Sequence, residues 1–211
     1  MLQLLGQNPL LFVILAIALV MALSIHEAAH AFIAKRLGDP TAESMGRLTL
    51  NPLAHLDPIG TIMILVIGVG WAKPVMVNPN NFRNPMVDNL KVALAGPISN
   101  LLLALLFTGF NYLFQPETGS IAMIFTQTIV WYNLILMFFN LIPIPPLDGS
   151  KILGTFLDFE TYLHLERYGS YLLIGLIVLS YAGFPLLQTL IFTPARAVYG
   201  LVMGGGSPGI F

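Results

Sequence analysis

Four stretches of this chain carry no charged side chain over a length that can cross a bilayer, and this restricts its fold more than any other feature. Pro9–Ile25 gives 17 such residues, Val92–Phe114 gives 23, Ile121–Leu147 gives 27 and Tyr168–Phe192 gives 25, the last interrupted by Gly183-Phe184-Pro185. About 20 apolar residues span the hydrocarbon core, and a helix is the form in which one segment satisfies its own backbone there. The first helix is expected to continue past its apolar run to Lys35 and Arg36. Composition agrees: 56% of residues are hydrophobic and 9% charged, where a soluble domain carries about a quarter charged residues. The expected fold class is an α-helical polytopic membrane protein with about four transmembrane helices.

A fifth apolar run, Ile59–Trp71, has only 13 residues. That is short for a crossing and suits a re-entrant or buried segment. The distribution of basic residues supports the same choice. If 59–71 dips in and returns, Lys35, Arg36, Arg47, Lys73, Arg83, Lys91, Lys151 and Arg167 share one face and Arg196 alone lies opposite. If it crosses, Lys73, Arg83 and Lys91 move to the other side and the bias collapses. The re-entrant arrangement puts the N-terminus outside and the basic face in the cytoplasm, in a multi-pass protein of the cell membrane. The N-terminal "MLQLLGQN" lacks the positive region of a secretory signal peptide, so the first run is expected to be retained.

Two short stretches flanking the fifth run, "GRLTL" at 46–50 and "AKPVMVNP" at 72–79, alternate in part and are bounded by Gly, Pro and Asn. They read as a small β-element at the cytoplasmic face. The tail from Thr193 is Gly-rich and expected to be loosely held. One membrane-embedded domain accounts for residues 1–211, with a catalytic core over about 9–155 and a C-terminal helix and tail over 160–211. The formal net charge is −1 and there is no basic run, so nucleic acid is not an expected partner. There is no cysteine, so a metal site must draw on His, Asp or Glu.

The chemistry concentrates in "HEAAH", residues 26–30. On a helix, His26 and His30 are four apart and project from one face, where both can ligate one Zn²⁺. Glu27 stands beside them as a general base toward water activated by the metal. From Pro9 to His26 is roughly 26 Å of helix against a hydrocarbon core of about 30 Å, so the pair lies in the inner part of the membrane. Unpaired ionisable groups are costly there, which weakens the alternative of a polar helix end. Zinc needs a third protein ligand and an open position. Arg36 stands where a metzincin has its third histidine, which excludes that pattern. Asp148, in "NLIPIPPLDGSKIL", ends an uncharged run directed back to the depth of His26 and His30 and is the best-placed third ligand. Pro143, Pro145 and Pro146 break the helix before it, and irregular backbone at membrane depth is tolerated where it lines a cavity. The competing reading of Asp148 is an Asp-Gly turn at the surface. His55 could also ligate, although its place in the loop feeding the fifth run suits structural hydrogen bonding better. His164 lies among Glu160, Glu166 and Arg167 and reads as part of a solvated face. Asn100 and Asn140 each sit in an apolar run, where an amide must find partners across helices; interhelical bonding and a role at the site are both open for them.

"HEAAH", "AGPISN" (95–100) and "NLIPIPPLDG" (140–149), in that order, resemble the site-2 protease family of intramembrane zinc metalloproteases. "NPLAHLDPIGT" and "GWAKPV" are similar to a compact prokaryotic branch of it, and no PDZ-like or CBS-like insertion interrupts the motifs. The resemblance covers most of residues 20–155. It implies one zinc per chain on His26, His30 and Asp148, with Glu27 as catalytic base, Asn140 holding the substrate strand and Asn100 supporting the core of the site. It also implies hydrolysis of peptide bonds within or near transmembrane segments of membrane proteins. A helical substrate hides its carbonyls in its own hydrogen bonds, so it must unwind first, and the stretches around 46–50 and 75–77 could receive it by edge addition.

Two rival readings come from other classes. A metal or proton transporter also uses intramembrane His and acidic residues, but it needs them along a through-path, whereas here they cluster at one depth. A non-catalytic scaffold needs neither a metal nor Glu27.

Overall fold

The computed structural model describes residues 2–67 and 70–205. In chain order its helices are α1 (Leu2–Gln7), α2 (Pro9–Arg36), α3 (Thr41–Ser44), α4 (Pro52–His55), α5 (Pro58–Ile67), α6 (Pro85–Phe114), α7 (Ile121–Asn140), α8 (Asp148–Gly154), α9 (Phe159–Tyr181) and α10 (Thr193–Met203). A 3₁₀ turn at Pro79–Asn81 precedes α6 and a π-helical turn at Gln188–Phe192 precedes α10. Among the described residues, three helices are long and apolar enough to cross a membrane: α2, α6 and α7.

Each of the three is started by a side-chain cap. Asn8 Oδ1 accepts from the Leu11 amide at 3.1 Å and Asn84 Oδ1 from the Val87 amide at 3.4 Å, each with proline at the first helical position; Ser120 Oγ accepts from the Met123 amide at 3.2 Å. These caps satisfy amides that have no partner inside the helix. The helices α2, α6 and α7 pack on one another and form the centre of the molecule. Ala18 of α2, Leu103 of α6 and Ile129 of α7 meet in one buried cluster. Buried Ala22, Ala28, Ala31 and Ala34 on α2, and Ala93, Ala95 and Gly96 on α6, keep the side chains small along both helices. Between helices in lipid, close approach of this kind is the main source of packing energy. Pro97 lies inside α6, where it removes a backbone donor next to Gly96.

Two expectations, the β-element and the loose tail, need correction. The β-element at 46–50 and 72–79 is absent: among the described residues there is no strand, only an isolated antiparallel bridge between Leu56 and Ala72. The carbonyls of Ala54 and Pro74 are taken by the buried Arg47 guanidinium, and Pro74 and Pro79 have no amide to offer a ladder. The fourth uncharged run breaks where its interruption was expected: α9 begins at Phe159 and ends at Tyr181, and the chain turns through Gly183 at φ +103° before the π-helical turn. A positive φ of this size favours glycine, and Pro185 follows two residues later. The tail is not loose up to Met203. It forms α10, whose Ala195 and Tyr199 are buried, with Tyr199 edge-on to Trp131 at 5.8 Å between ring centroids. Burying that apolar face outweighs the weak local propensity of a Gly-rich sequence. Residues 206–211, the remainder of the expected loose tail, lie outside the described residues, as do 68 and 69 of the expected re-entrant segment.

Candidate active site

Helix α2 delivers His26 and His30 to one spot, as four-residue spacing requires. Helix α8 brings Asp148 to the same spot from the far end of α7. All three side chains are buried. His26 Nε2 and His30 Nε2 are 3.0 Å apart, and Asp148 Oδ2 lies 3.2 Å from the first and 3.1 Å from the second. Gly96 of α6 makes the room. A Cβ there would stand 2.5 Å from Nε2 of both histidines, so no other residue fits without moving them. Gly149 does the same service for the turn before α8, where a Cβ would lie 2.5 Å from the Leu141 carbonyl carbon.

The other ring nitrogens are committed elsewhere. His26 Nδ1 is 2.6 Å from Asn100 Oδ1, and His30 Nδ1 is 2.7 Å from the Val92 carbonyl. Both partners are oxygens that only accept, so each Nδ1 carries the hydrogen and donates it. A neutral ring then has a bare lone pair at Nε2. Two such lone pairs and a carboxylate oxygen face one another inside about 3 Å, with no protein hydrogen between them, and Asp148 Oδ2 is a buried atom without a hydrogen-bond partner. Left alone, this arrangement is repulsive. It is the donor set of a cation site, and the separations approach the edge of about 3.3 Å expected for a tetrahedron with bonds near 2.0–2.1 Å. The residues present therefore fit a zinc ion.

Glu27 sits on the same turn of α2 and points into the same cavity, of about 100 Å³, which Pro74, Val75, Val77, Asn140, Pro146 and Lys151 also line. The Val75 amide donates to Glu27 Oε2 at 3.0 Å. This contact ties Glu27 to the irregular segment between α5 and α6. That segment is itself anchored by Arg47 on the Pro74 carbonyl and by Asp39, which accepts from the Asn78 amide at 2.8 Å and from Asn81 Nδ2 at 2.7 Å. Lys151 Nζ is 3.8 Å from Asp148 Oδ1, which places one positive charge at the rim of the site.

Of the residues expected from the sequence, His26, Glu27, His30, Asp148 and Asn140 share the cavity, and Asn100 stands behind His26. Asn140 Nδ2 donates to Leu136 O of its own helix at 3.1 Å. His55 is not part of the cluster: its Nε2 bonds the Thr49 carbonyl at 2.8 Å, the structural role expected for it. Gly96 lies in the quoted "AGPISN", and Arg47 and Val75 lie in the stretches around 46–50 and 75–77 expected to receive a substrate, but what each of them touches was not read from the sequence, and Lys151 was not singled out there. Gly96 could have been noticed as a glycine beside Pro97 in a spanning helix, whereas the contacts of Arg47, Val75 and Lys151 depend on how the loops fold and follow no periodicity.

The comparisons with known proteins agree with this chemistry. Residues 115–180 match peptidase family M50, a stretch that includes Asp148. YwhC of Bacillus subtilis, by name a candidate zinc metalloprotease, is 40% identical over 189 residues, spanning 82% of this chain and 85% of that protein. MJ0611 of Methanocaldococcus jannaschii, similarly named, is 34% identical over 144 residues, or 68% of this chain and 71% of that protein. Rip2 of Mycolicibacterium smegmatis is 29% identical over 175 residues, or 79% of this chain and 67% of its own length. No solved structure matches. With 40% identity carried through 85% of a relative, this chain belongs to peptidase family M50, the site-2 protease family of intramembrane zinc metalloproteases.

Proposed function

We propose that this intramembrane zinc metalloprotease holds one zinc ion on His26, His30 and Asp148, uses Glu27 as its general base, and cleaves transmembrane protein substrates from the cytoplasmic side of the cell membrane. The observation that carries the reading is the convergence of three buried lone-pair donors beside a carboxylate in one cavity. A zinc ion held there would supply Lewis acidity toward a peptide carbonyl and toward water. The chain's own residues do the rest. The Val75 amide fixes Glu27 Oε2 and leaves Oε1 for the proton of the attacking water, which Glu27 then hands to the departing amine. Pro74, Val75 and Val77 give an unwound substrate segment a wall to lie against, and Asn140 stands beside it with an amide.

The whole chain acts as a single membrane-embedded domain, a reading supported by the packing of α10 on α7 through Tyr199 and Trp131. Helix α9 is the fourth crossing: Tyr171, Leu172, Ile174 and Val178 present an exposed apolar face that lipid would cover. Helix α5 belongs to the re-entrant segment, with Lys73 and Lys91 returned to the cytoplasmic face. His26, Glu27, His30 and Asp148 cluster at one depth rather than along a through-path, which argues against a transporter.

The test is zinc per chain, together with cleavage of a test transmembrane substrate, for the wild type and for His26→Ala, His30→Ala and Asp148→Ala. Each variant should lose both. A variant that keeps its zinc removes that residue from the ligand set.

A further inference from the structure

Asn133 has no place in the ligand set, the cavity lining or the family motifs quoted above, yet it is fully buried in α7 and bonded toward the site. Its Nδ2 donates to the Ile129 carbonyl of its own helix at 2.8 Å. That carbonyl only accepts, so the orientation of the Asn133 amide is set by the backbone, with Oδ1 turned toward α6. Asn133 Oδ1 accepts from Asn100 Nδ2 at 2.8 Å, and the same Nδ2 also donates to the Ala22 carbonyl at 3.2 Å. Flipping the Asn100 amide would set its oxygen against two oxygens, so its Oδ1 must face His26. His26 Nδ1 therefore carries the hydrogen, at 2.6 Å, and Nε2 presents its lone pair to the ligand cluster.

We infer that Asn133 is a positioning residue for the metal centre: a relay from the Ile129 carbonyl through Asn133 and Asn100 dictates the tautomer in which His26 can ligate. The inference rests on His26 being a zinc ligand. It extends that reading to a third helix, because α7 controls the chemistry of a ligand on α2 without touching the metal. Partners of this kind, one bond beyond the ligands, commonly govern metal affinity by 10–100-fold. Asn133 acts through a second residue that also has the Ala22 carbonyl as a guide, so its effect belongs at the low end.

The experiment measures zinc affinity by chelator competition on the purified full-length chain in detergent. Asn133→Leu keeps the volume and removes the acceptor; it should weaken zinc about tenfold. Asn100→Asp cannot present a donor to His26 in either orientation, but it puts an oxygen against Asn133 Oδ1 and should weaken zinc alone. Combined with Asn133→Leu the closer of the two oxygen–oxygen contacts is removed and only the Ala22 carbonyl, at 3.2 Å, still faces the new carboxylate, so the double variant should bind zinc more tightly than Asn100→Asp alone and the two losses should not add. A merely structural asparagine predicts losses that add, and additive losses would overturn the relay, as would wild-type affinity in Asn133→Leu. If the leucine variant fails to fold, Asn133→Ser serves: its hydroxyl can bond Ile129 but is too short to reach Asn100. Including His26→Ala separates the two levels. Zinc retained in that variant overturns the ligand reading, whereas zinc lost there and unchanged in Asn133→Leu overturns the relay alone.

Discussion

Glu27 and Val75, 48 positions apart, are joined by a hydrogen bond of 3.0 Å from the Val75 amide to Glu27 Oε2. One oxygen of the Glu27 carboxylate is thus held by the backbone of a loop that also lines the cavity. This arrangement lets chemistry be separated from architecture at position 27.

Glutamine keeps an oxygen that can accept from Val75 but cannot take a proton from water. Glu27→Gln should therefore retain zinc and the loop position while cleavage of a membrane-embedded substrate falls at least about 100-fold. Glu27→Ala should do worse, because the Val75 amide then loses its acceptor inside the site. Equal activity in wild type and Glu27→Gln, with zinc present in both, would remove Glu27 from the reaction.

Gly96 and the two histidines make a second, sharper test of the site. A methyl group at position 96 would meet both Nε2 atoms at 2.5 Å, where the two imidazole rings converge. Alanine is otherwise the better helix former by about 1 kcal/mol. Gly96→Ala should accordingly leave helix content intact, as read by circular dichroism, and abolish stoichiometric zinc. A variant with normal zinc would mean that the histidines have room the structure does not give them.

How much of this was legible beforehand depends on the range of the interaction. His26 and His30 follow from helical spacing alone, and Asp148 from the depth at which an uncharged run ends. The caps Asn8, Asn84 and Ser120 are polar residues one position before a helix, two of them followed by proline. These are local signals. Val75 reaches Glu27 only because Arg47 and Asp39 hold a loop whose own sequence is unremarkable, and no periodicity encodes such a contact. The expected strands failed for a related reason: Arg47 and two prolines take away the backbone groups a ladder would need. Helix α10 was hidden because Tyr199 needs Trp131, 68 residues earlier in the chain, to bury its ring. Asn133 carried the same signal as Asn100 and Asn140, an amide in an apolar run, but its use is visible only once three helices are packed.

Asp39 offers a prediction about pH. Burial pushes its carboxyl up, but hydrogen bonds from Thr41, the Asn78 amide and Asn81 outweigh that and hold it below its ordinary value. A folded value below the unfolded one, about 3.9, means that its contribution is complete above pH 4 and is lost as pH falls through the folded value. The tie between residue 39 and the loop at 78–81 should therefore be insensitive to pH from 5 to 8. Asp39→Asn turns a donor toward donors at one of these contacts and should cost about 1–3 kcal/mol at neutral pH, measured by unfolding in detergent. Cleavage should fall with zinc retained, because the loop carrying Val75 loosens while the ligands do not. An unchanged unfolding midpoint would show that the carboxylate does not hold the loop.

The arrangement in the membrane can be tested at the tip of that loop. Asn80 lies in the 3₁₀ turn between α5 and α6 and is exposed. If the segment containing α5 enters and returns on one side, Asn80 shares the cytoplasmic face with Lys35, Lys91 and the metal ligands' end of α2. If that segment crosses, Asn80 lies outside and the loop could not place Val75 against Glu27. The chain has no cysteine, so Asn80→Cys gives a single reporter without further changes. An impermeant maleimide should fail to label it in intact cells and should label it in inside-out vesicles, while a cysteine at Asn8 should behave in the opposite way. Labelling at position 80 from outside intact cells would put the loop on the wrong side of the membrane and would separate the base from the amide that holds it.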